Sequence, residues 1–266
     1  MISKSQRMIF GSLVLFSILI LSLPTIIVVG ASFTSGNIIS FPPDGFSIKW
    51  YEKIALARDL RQAFVRSLMV SLICLLVSVP IGTLAGIALT RYRLQFIGAL
   101  QVYLLLPFTI PLIGSGIGMM LLFGNLGILG SIWPLGIACA VINLPFIIWS
   151  VSSSAAALDR DLELAAANCG AGRIETCRYV TLPGVMSGVI TGGLLMFVLA
   201  MTEFLVSLLL TDARTVTLPV QIYNNVRSII TPDLAAVSSV FVAIALAAVW
   251  LLDRLVGLEI FLKSKY

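Results

Sequence analysis

Six long apolar runs constrain this chain more than any other feature of its sequence. Each is close to the roughly 20 residues that an α-helix needs to cross a bilayer core. Since 59% of all residues are hydrophobic and 11% are charged, lipid must cover much of the surface. The sequence therefore predicts an all-α membrane protein of about six transmembrane helices, without a separate soluble domain. The runs are Met8–Ala31, Ser67–Leu89, Ile97–Phe123, Ile132–Val151, Pro183–Leu210 and Leu234–Leu252.

Charge placement predicts how these spans are oriented. The first run exceeds the roughly 7–15 apolar residues of a signal peptide and lacks an Ala-x-Ala site, so we expect a retained helix. Six spans put both termini on one side, and Lys and Arg are more numerous there, which favours cytoplasmic termini. On the opposite side, residues 32–63 form a polar segment before the core spans at 64–256. Its apolar residues recur at helical spacing and predict an amphipathic surface helix: Trp50, Ile54, Ala57, Leu60 and Phe64.

The residue types of the chain argue against several classes of function. There is no histidine, which removes the commonest general base and the commonest metal ligand. The four cysteines show neither metal-site nor disulfide spacing. The basic excess, 17 Lys and Arg against 12 Asp and Glu, is too scattered for a nucleic-acid surface. We therefore expect no catalytic residue, no metal site and no nucleic-acid partner.

The polar stretch 158–184 has the pattern of a short helix held outside the bilayer. Asp159 and Asp161 suit the positive end of a helix, and Gly170 suits its left-handed carboxyl cap. A second short helix is expected at about Arg173–Tyr179. The pattern alone leaves two alternatives open, a docking element for a cytoplasmic partner or an interfacial helix that rests on lipid or on its own bundle. The apolar face is formed by Leu162, Ala165, Ala166 and Cys169.

This stretch resembles the signature loop of binding-protein-dependent ABC importer permeases. That pattern is approximately Glu-Ala-Ala, three residues, Gly, about nine residues, an apolar residue and then Leu-Pro. The glutamate of the motif is replaced by Leu164, and Glu163 directly precedes it, so Glu163 is the candidate to supply the carboxylate from a shifted angle. The positions that match are Ala165, Ala166, Gly170, Ala171, Val180, Leu182 and Pro183.

Other segments extend the resemblance over most of the chain. Ser67–Arg91, with Gly82 and Ala88, is similar to the first core span of the family, and Leu106–Pro111 (LPFTIP) also matches. Two outer segments resemble the smaller permease of spermidine/putrescine importers. These are Phe46–Tyr51 (FSIKWY) and Leu218–Asp233.

The resemblance implies a type I importer permease with a MetI-like fold, formed by residues 1–266 as a single domain in a bacterial inner membrane. It implies a heterodimeric pore with a second homologous permease, two ATP-binding subunits, and a solute-binding protein outside. ATP and Mg²⁺ would be held by those ATPases, since this chain has no Gly-x-x-x-x-Gly-Lys-Ser/Thr loop. The loop would act as a lever through Glu163, Ala165, Ala166, Gly170, Ala171, Leu182 and Pro183.

Glu203 is the one ionisable residue well inside an apolar run. Charges at membrane depth usually face a cavity or a partner, so Glu203 either contacts a cationic solute or anchors a hydrogen bond between helices. Thr202 and Phe108 complete the expected solute path. Polyamine permeases of this type tend to have an acidic residue where this chain has Phe108, which leaves opines, amino acids and phosphonates open besides polyamines.

Two functions of other classes compete with the importer. A stand-alone secondary transporter or channel should show inverted repeats and paired intramembrane charges, and the sequence has no clear repeat. An assembly or receptor protein without a transport role would purify without any ATPase.

Overall fold

The computed structural model describes residues 4–92, 95–228 and 231–256, and this part of the chain is helical apart from its connections, of which residues 32–48 are the longest. The predicted all-α membrane fold is therefore confirmed. A π-helical turn, Cys177–Thr181, links two of the helices. The helices are α1 (Lys4–Ala31), α2 (Lys49–Leu56), α3 (Arg58–Arg91), α4 (Ile97–Thr109), α5 (Leu112–Asn125), α6 (Ile132–Ala157), α7 (Arg160–Asn168), α8 (Arg173–Thr176), α9 (Leu182–Gly184), α10 (Met186–Thr202), α11 (Leu205–Leu210), α12 (Leu218–Ser228) and α13 (Pro232–Val256).

Within the described residues, three helices are long and apolar enough to cross a membrane. They are the Phe10–Ala31 part of α1, α3 and α6. A fourth span results if Arg173–Gly184 and α10, which meet at a bend of 64°, are counted as one. The last predicted run, Leu234–Leu252, lies within α13.

Two of the six predicted spans are not single helices. Ile97–Phe123 is divided between α4 and α5, because Pro111 disfavours helical geometry at Ile110, whose backbone is extended. Pro183–Leu210 is interrupted at Val185 and again at Glu203, whose backbone is also extended. Hydropathy records the length of an apolar run, but it does not reveal a change of backbone direction inside it.

The chain divides into two compact units, of which the larger consists of residues 63–220 and 247–266. Its core forms around α6, because 61% of the most apolar stretch of this helix is buried. Glycines let neighbouring helices approach closely. A Cβ atom on Gly82 would lie 2.3 Å from Ile147 Cγ2, and one on Gly188 would lie 2.6 Å from the Ser150 carbonyl oxygen. The larger unit is thus a closely packed helical bundle.

The second unit consists of residues 1–62 and 221–246. In it, residues 32–48 fold onto α2, and the indole N–H of Trp50 donates to the Thr34 carbonyl at 2.8 Å. The predicted surface helix is correct only for its first part. Ala57 is extended, so α2 ends at Leu56 and Leu60 belongs to α3. The helical spacing of apolar residues identifies the buried side of this segment. The same spacing continues across Ala57, so it does not reveal the break in the helix.

Candidate functional site

The helix predicted at the start of the 158–184 loop is present as α7, and its cap is the expected one. The Asp159 side chain accepts a hydrogen bond from the Asp161 backbone N–H at 3.0 Å. Asp161 and Glu163 lie in the first turn, where negative charge stabilises the positive end of the helix. The sequence alone is therefore sufficient to begin α7 at this point.

The end of α7 is a sharp turn that requires glycine. Gly170 has φ +88°, a conformation that other residues adopt only with strain. Its N–H donates to the Ala167 carbonyl at 3.0 Å, and the Ala171 N–H donates to the Ala166 carbonyl at 3.1 Å. This pair of bonds is the Schellman arrangement. The predicted second helix follows as α8 and continues into the π-helical turn.

One side of α7 is joined to the helical bundle by charge and hydrogen bonds. Arg91 Nε lies 3.1 Å from Glu163 Oε1, with 9% and 21% of the two side chains exposed. The alignment at Nε is that of an ion pair rather than a hydrogen bond. Thr181 donates its hydroxyl to the same Glu163 oxygen at 2.7 Å, and Arg91 Nη2 donates to the Leu158 carbonyl at 2.9 Å. Glu163 thus points toward its own chain.

A pocket of about 360 Å³ lies beside this ion pair. Its walls come from the end of α3, from α7 and from the α8 region. Ala171, one of the residues of the motif, lines it together with Ala167. The full lining is Ile87, Arg91, Tyr92, Glu163, Ala167, Ala171, Arg173, Thr176, Cys177 and Thr181.

The other side of α7 and α8 presents apolar side chains to the outside. Of the predicted apolar face, Leu162, Ala165 and Cys169 are exposed, and Ala166 is half-buried. Neither α7 nor α8 has a buried residue. Among the described residues, nothing of the chain's own bundle covers this face, so lipid or a partner is favoured over that alternative. We call the exposed apolar set the docking face: Leu162 (52% exposed), Leu164 (60%), Ile174 (84%) and Tyr179 (69%).

Leu182 and Pro183 form the junction between the loop and the bundle. They open the short helix α9, and Leu182 packs against the hydrophobic core while Pro183 is exposed. The junction is tight, because a Cβ atom on Gly184 would lie 2.7 Å from Leu158 Cδ1. These motif residues connect the loop to α10 rather than extend the docking face.

Of the expected solute-path residues, Thr202 and Glu203 have described side chains. Glu203 lies at the break between α10 and α11, where its Oε1 accepts the Val206 N–H at 3.1 Å. The predicted anchor between helices is thus a cap of the helix that follows. The Thr202 hydroxyl donates to the Val198 carbonyl of its own helix at 3.0 Å. The side chain of Phe108 lies outside the described residues.

The site contains two residues whose part in it was not predicted from the sequence. In the sequence, Arg91 looks like any basic residue at the end of a span. Thr181 looks like an ordinary threonine in a loop. An arginine that follows a long apolar helix is a usable signal for a polar anchor. Its acidic partner, however, is distant in the chain and is revealed only by the fold.

Comparisons with known proteins agree with this architecture. Residues 78–257 match the family model described as "binding-protein-dependent transport system inner membrane component". The chain is 30% identical to the spermidine/putrescine transport system permease protein PotC of Escherichia coli K12 over 86% of each chain. It is 28% identical to PotC of Haemophilus influenzae, covering 86% of this chain and 89% of that one.

A solved structure shows the same fold. A chain of a bacterial ABC transporter involved in the import of the acidic polysaccharide alginate superposes with a TM-score of 0.70. The superposition covers 96% of this chain and 99% of that chain, at 15% sequence identity.

Proposed function

The chain belongs to the family of binding-protein-dependent transport system inner membrane components, and we propose that it passes a polyamine or a related small solute into the cytoplasm. It is a multi-pass permease component of an ABC importer rather than an enzyme, and ATP is hydrolysed on separate subunits. The proposed complex contains two ATP-binding subunits that hold ATP and Mg²⁺, a second homologous permease, and a solute-binding protein outside. Both termini and the 158–184 loop lie in the cytoplasm.

The observation that carries this proposal is the docking face. An exposed apolar cluster on a polar loop marks a site of interaction with a protein or a membrane. Ala165 is exposed among these side chains, and its small size lets a partner surface approach the helix closely. We propose that each ATPase receives α7 in a surface cleft, so that closure of the two ATPases moves the loop and the spans joined to it.

Co-purification tests the docking proposal. The chain is isolated in mild detergent from its native membrane, and the associated proteins are identified by mass spectrometry. We expect a stoichiometric ATP-binding subunit, which is lost in Ala165→Arg and Ala166→Arg. Ala55→Arg, on an exposed position of α2, is the matched control and should keep the subunit. Absence of any ATPase from the wild-type preparation would favour a secondary transporter instead.

The position of Glu203 supports the proposal that the solute is positively charged. It lies at a break in an apolar segment, and irregular backbone at membrane depth is tolerated where it is buried in protein or lines a cavity. We propose that its carboxylate faces the solute path. Glu203→Gln keeps an oxygen that accepts the Val206 N–H, but it removes the charge. We expect a higher KM for spermidine or putrescine uptake with little change in the amount of folded protein.

Competition measurements distinguish the solutes. Uptake of labelled spermidine is measured in cells that contain the full transporter, with an excess of putrescine, an opine, an amino acid or a phosphonate. Inhibition by putrescine alone supports the polyamine assignment. If polyamines are not transported while a zwitterionic or anionic compound is, the polyamine assignment is wrong and the permease assignment stands.

A further inference from the structure

We propose that Arg91 is a positioning residue that fastens the 158–184 loop to the carboxyl end of α3, so that α7 and α3 move as one body. This inference rests on the proposed function, because it assigns Arg91 a part in coupling ATP hydrolysis to transport. Five residues form what we call the clamp: Thr90, Arg91, Arg160, Glu163 and Thr181.

In the clamp, the end of α3 donates a hydrogen bond to the beginning of the loop, and the loop donates one back. Arg91 donates to the Leu158 carbonyl at 2.9 Å, and Arg160 Nη2 donates to the Thr90 carbonyl at 3.1 Å. The Thr90 carbonyl belongs to the last turn of α3, where carbonyl groups have no partner within the helix. Two guanidinium groups therefore lie at the negative end of α3, where positive charge is stabilised.

Glu163 adds a third segment to the clamp. Its Oε1 is shared by Arg91 at 3.1 Å and by the Thr181 hydroxyl at 2.7 Å. Thr181 is 4% exposed and ends the π-helical turn that leads into α9 and α10. A single carboxylate oxygen thus connects α3, α7 and the entrance to α10. Removal of Arg91 or Glu163 leaves the other, largely buried, group without its opposite charge, which is destabilising.

Apolar packing contributes little to holding α7 in place, because the helix has no fully buried residue. Its position depends instead on its caps and on the clamp. A force applied to the docking face therefore reaches α3 through Arg91 and Glu163, and it reaches α10 through Thr181. Such a polar connection transmits displacement less completely when one of its members is lost.

The test uses the full transporter in proteoliposomes, where solute uptake and ATP hydrolysis are measured on the same sample. In Arg91→Gln we expect the ratio of solute transported to ATP hydrolysed to fall by roughly tenfold, a typical coupling between distant sites. Arg91→Lys keeps the positive charge beside Glu163 and should recover most of this ratio. Thr181→Val, which loses only the hydroxyl, should show a smaller decrease.

The control is Arg214→Gln, which removes a positive charge from an exposed position of the 211–217 connection and leaves the ion pair with Glu163 intact. Its ratio should equal that of the wild type. If Arg91→Gln lowers only the yield, and the complexes that form keep the wild-type ratio, Arg91 is merely structural and the inference is overturned. If no ATPase accompanies the wild-type chain, the proposed function itself fails, and the inference fails with it.

Discussion

Two polar connections of the larger unit, residues 158–184 and 211–217, are built in opposite ways. In the shorter one, Asp212 Oδ1 accepts the N–H groups of Arg214 and Thr215 at 2.9 and 3.0 Å and the Thr215 hydroxyl at 2.8 Å. The side chains of Asp212 and Thr215 therefore find their hydrogen-bond partners within the turn itself. The longer connection leaves large apolar side chains outside.

The difference indicates which connection has a partner. A segment that only reverses the chain needs nothing beyond its own hydrogen bonds. Exposed apolar surface on a segment held in one position has a cost in water, which a binding partner removes. The following predictions separate the two connections, from the largest expected effect to the smallest.

Gly170→Asp should have the largest effect. An aspartate at φ +88° is strained by about 1–2 kcal/mol, and the turn that orients α8 relative to α7 is altered. We expect hydrolysis to become uncoupled from transport, so that uptake in proteoliposomes falls while ATP hydrolysis continues. Gly127→Asp is the control, because Gly127 has φ +67° in the connection between α5 and α6, and both glycines have open space around them. Full transport in Gly170→Asp would contradict the lever.

Ile174→Ser tests the docking face without changing the backbone. Ile174 is 84% exposed, so the stability of the isolated chain should change by no more than about 0.5 kcal/mol. The affinity for the ATPase should fall by up to about tenfold, as expected when a buried apolar contact of about 1.5 kcal/mol is lost. Affinity is measured by titration of the solubilised chain with purified ATPase. Leu126→Ser, at a position 61% exposed in the 126–131 connection, should bind as the wild type does.

Asp159→Ala tests the local stability of α7. Loss of this cap costs a helix about 1 kcal/mol, which corresponds to roughly fivefold faster hydrogen exchange of the α7 amides where exchange follows local opening. Asp159→Ser, which keeps a capping oxygen, should restore the protection. Unchanged exchange in Asp159→Ala would mean that the clamp alone determines the order of α7.

Asp212→Asn should have the smallest effect, and its effect should depend on pH. Hydrogen bonds from the Thr215 hydroxyl and the Arg214 N–H lower the pKa of Asp212 from its ordinary value of 3.8. The folded turn therefore favours the carboxylate. The stabilisation is complete above the unfolded pKa and is lost as the pH falls through the lower folded pKa. Thermal denaturation of wild type and Asp212→Asn should differ slightly at pH 6. The difference should begin to shrink near pH 3.8 and disappear below the lower pKa of the folded state. ATPase binding should not change.

Much of the loop could be predicted from its residues, because its structure is local. The cap at Asp159 and the turn at Gly170 each depend on groups within a few positions along the chain. The same reasoning failed at Ala57 and Glu203, where a regular apolar pattern continues across a break in the helix. Periodicity reports which side of a segment is apolar, but the direction of the backbone is decided by packing against elements far along the chain.

The sequence by itself determined the membrane class, the approximate positions of the apolar segments and the family of the signature loop. Hydropathy and short-range capping are properties of contiguous residues, so no fold is needed to recognise them. The tertiary structure decided which way Glu163 faces, because Arg91 and Thr181 approach it only when α3 and the π-helical turn pack beside α7. It likewise decided that the described part of the chain leaves the apolar face of α7 exposed, since burial depends on neighbours that are distant in sequence.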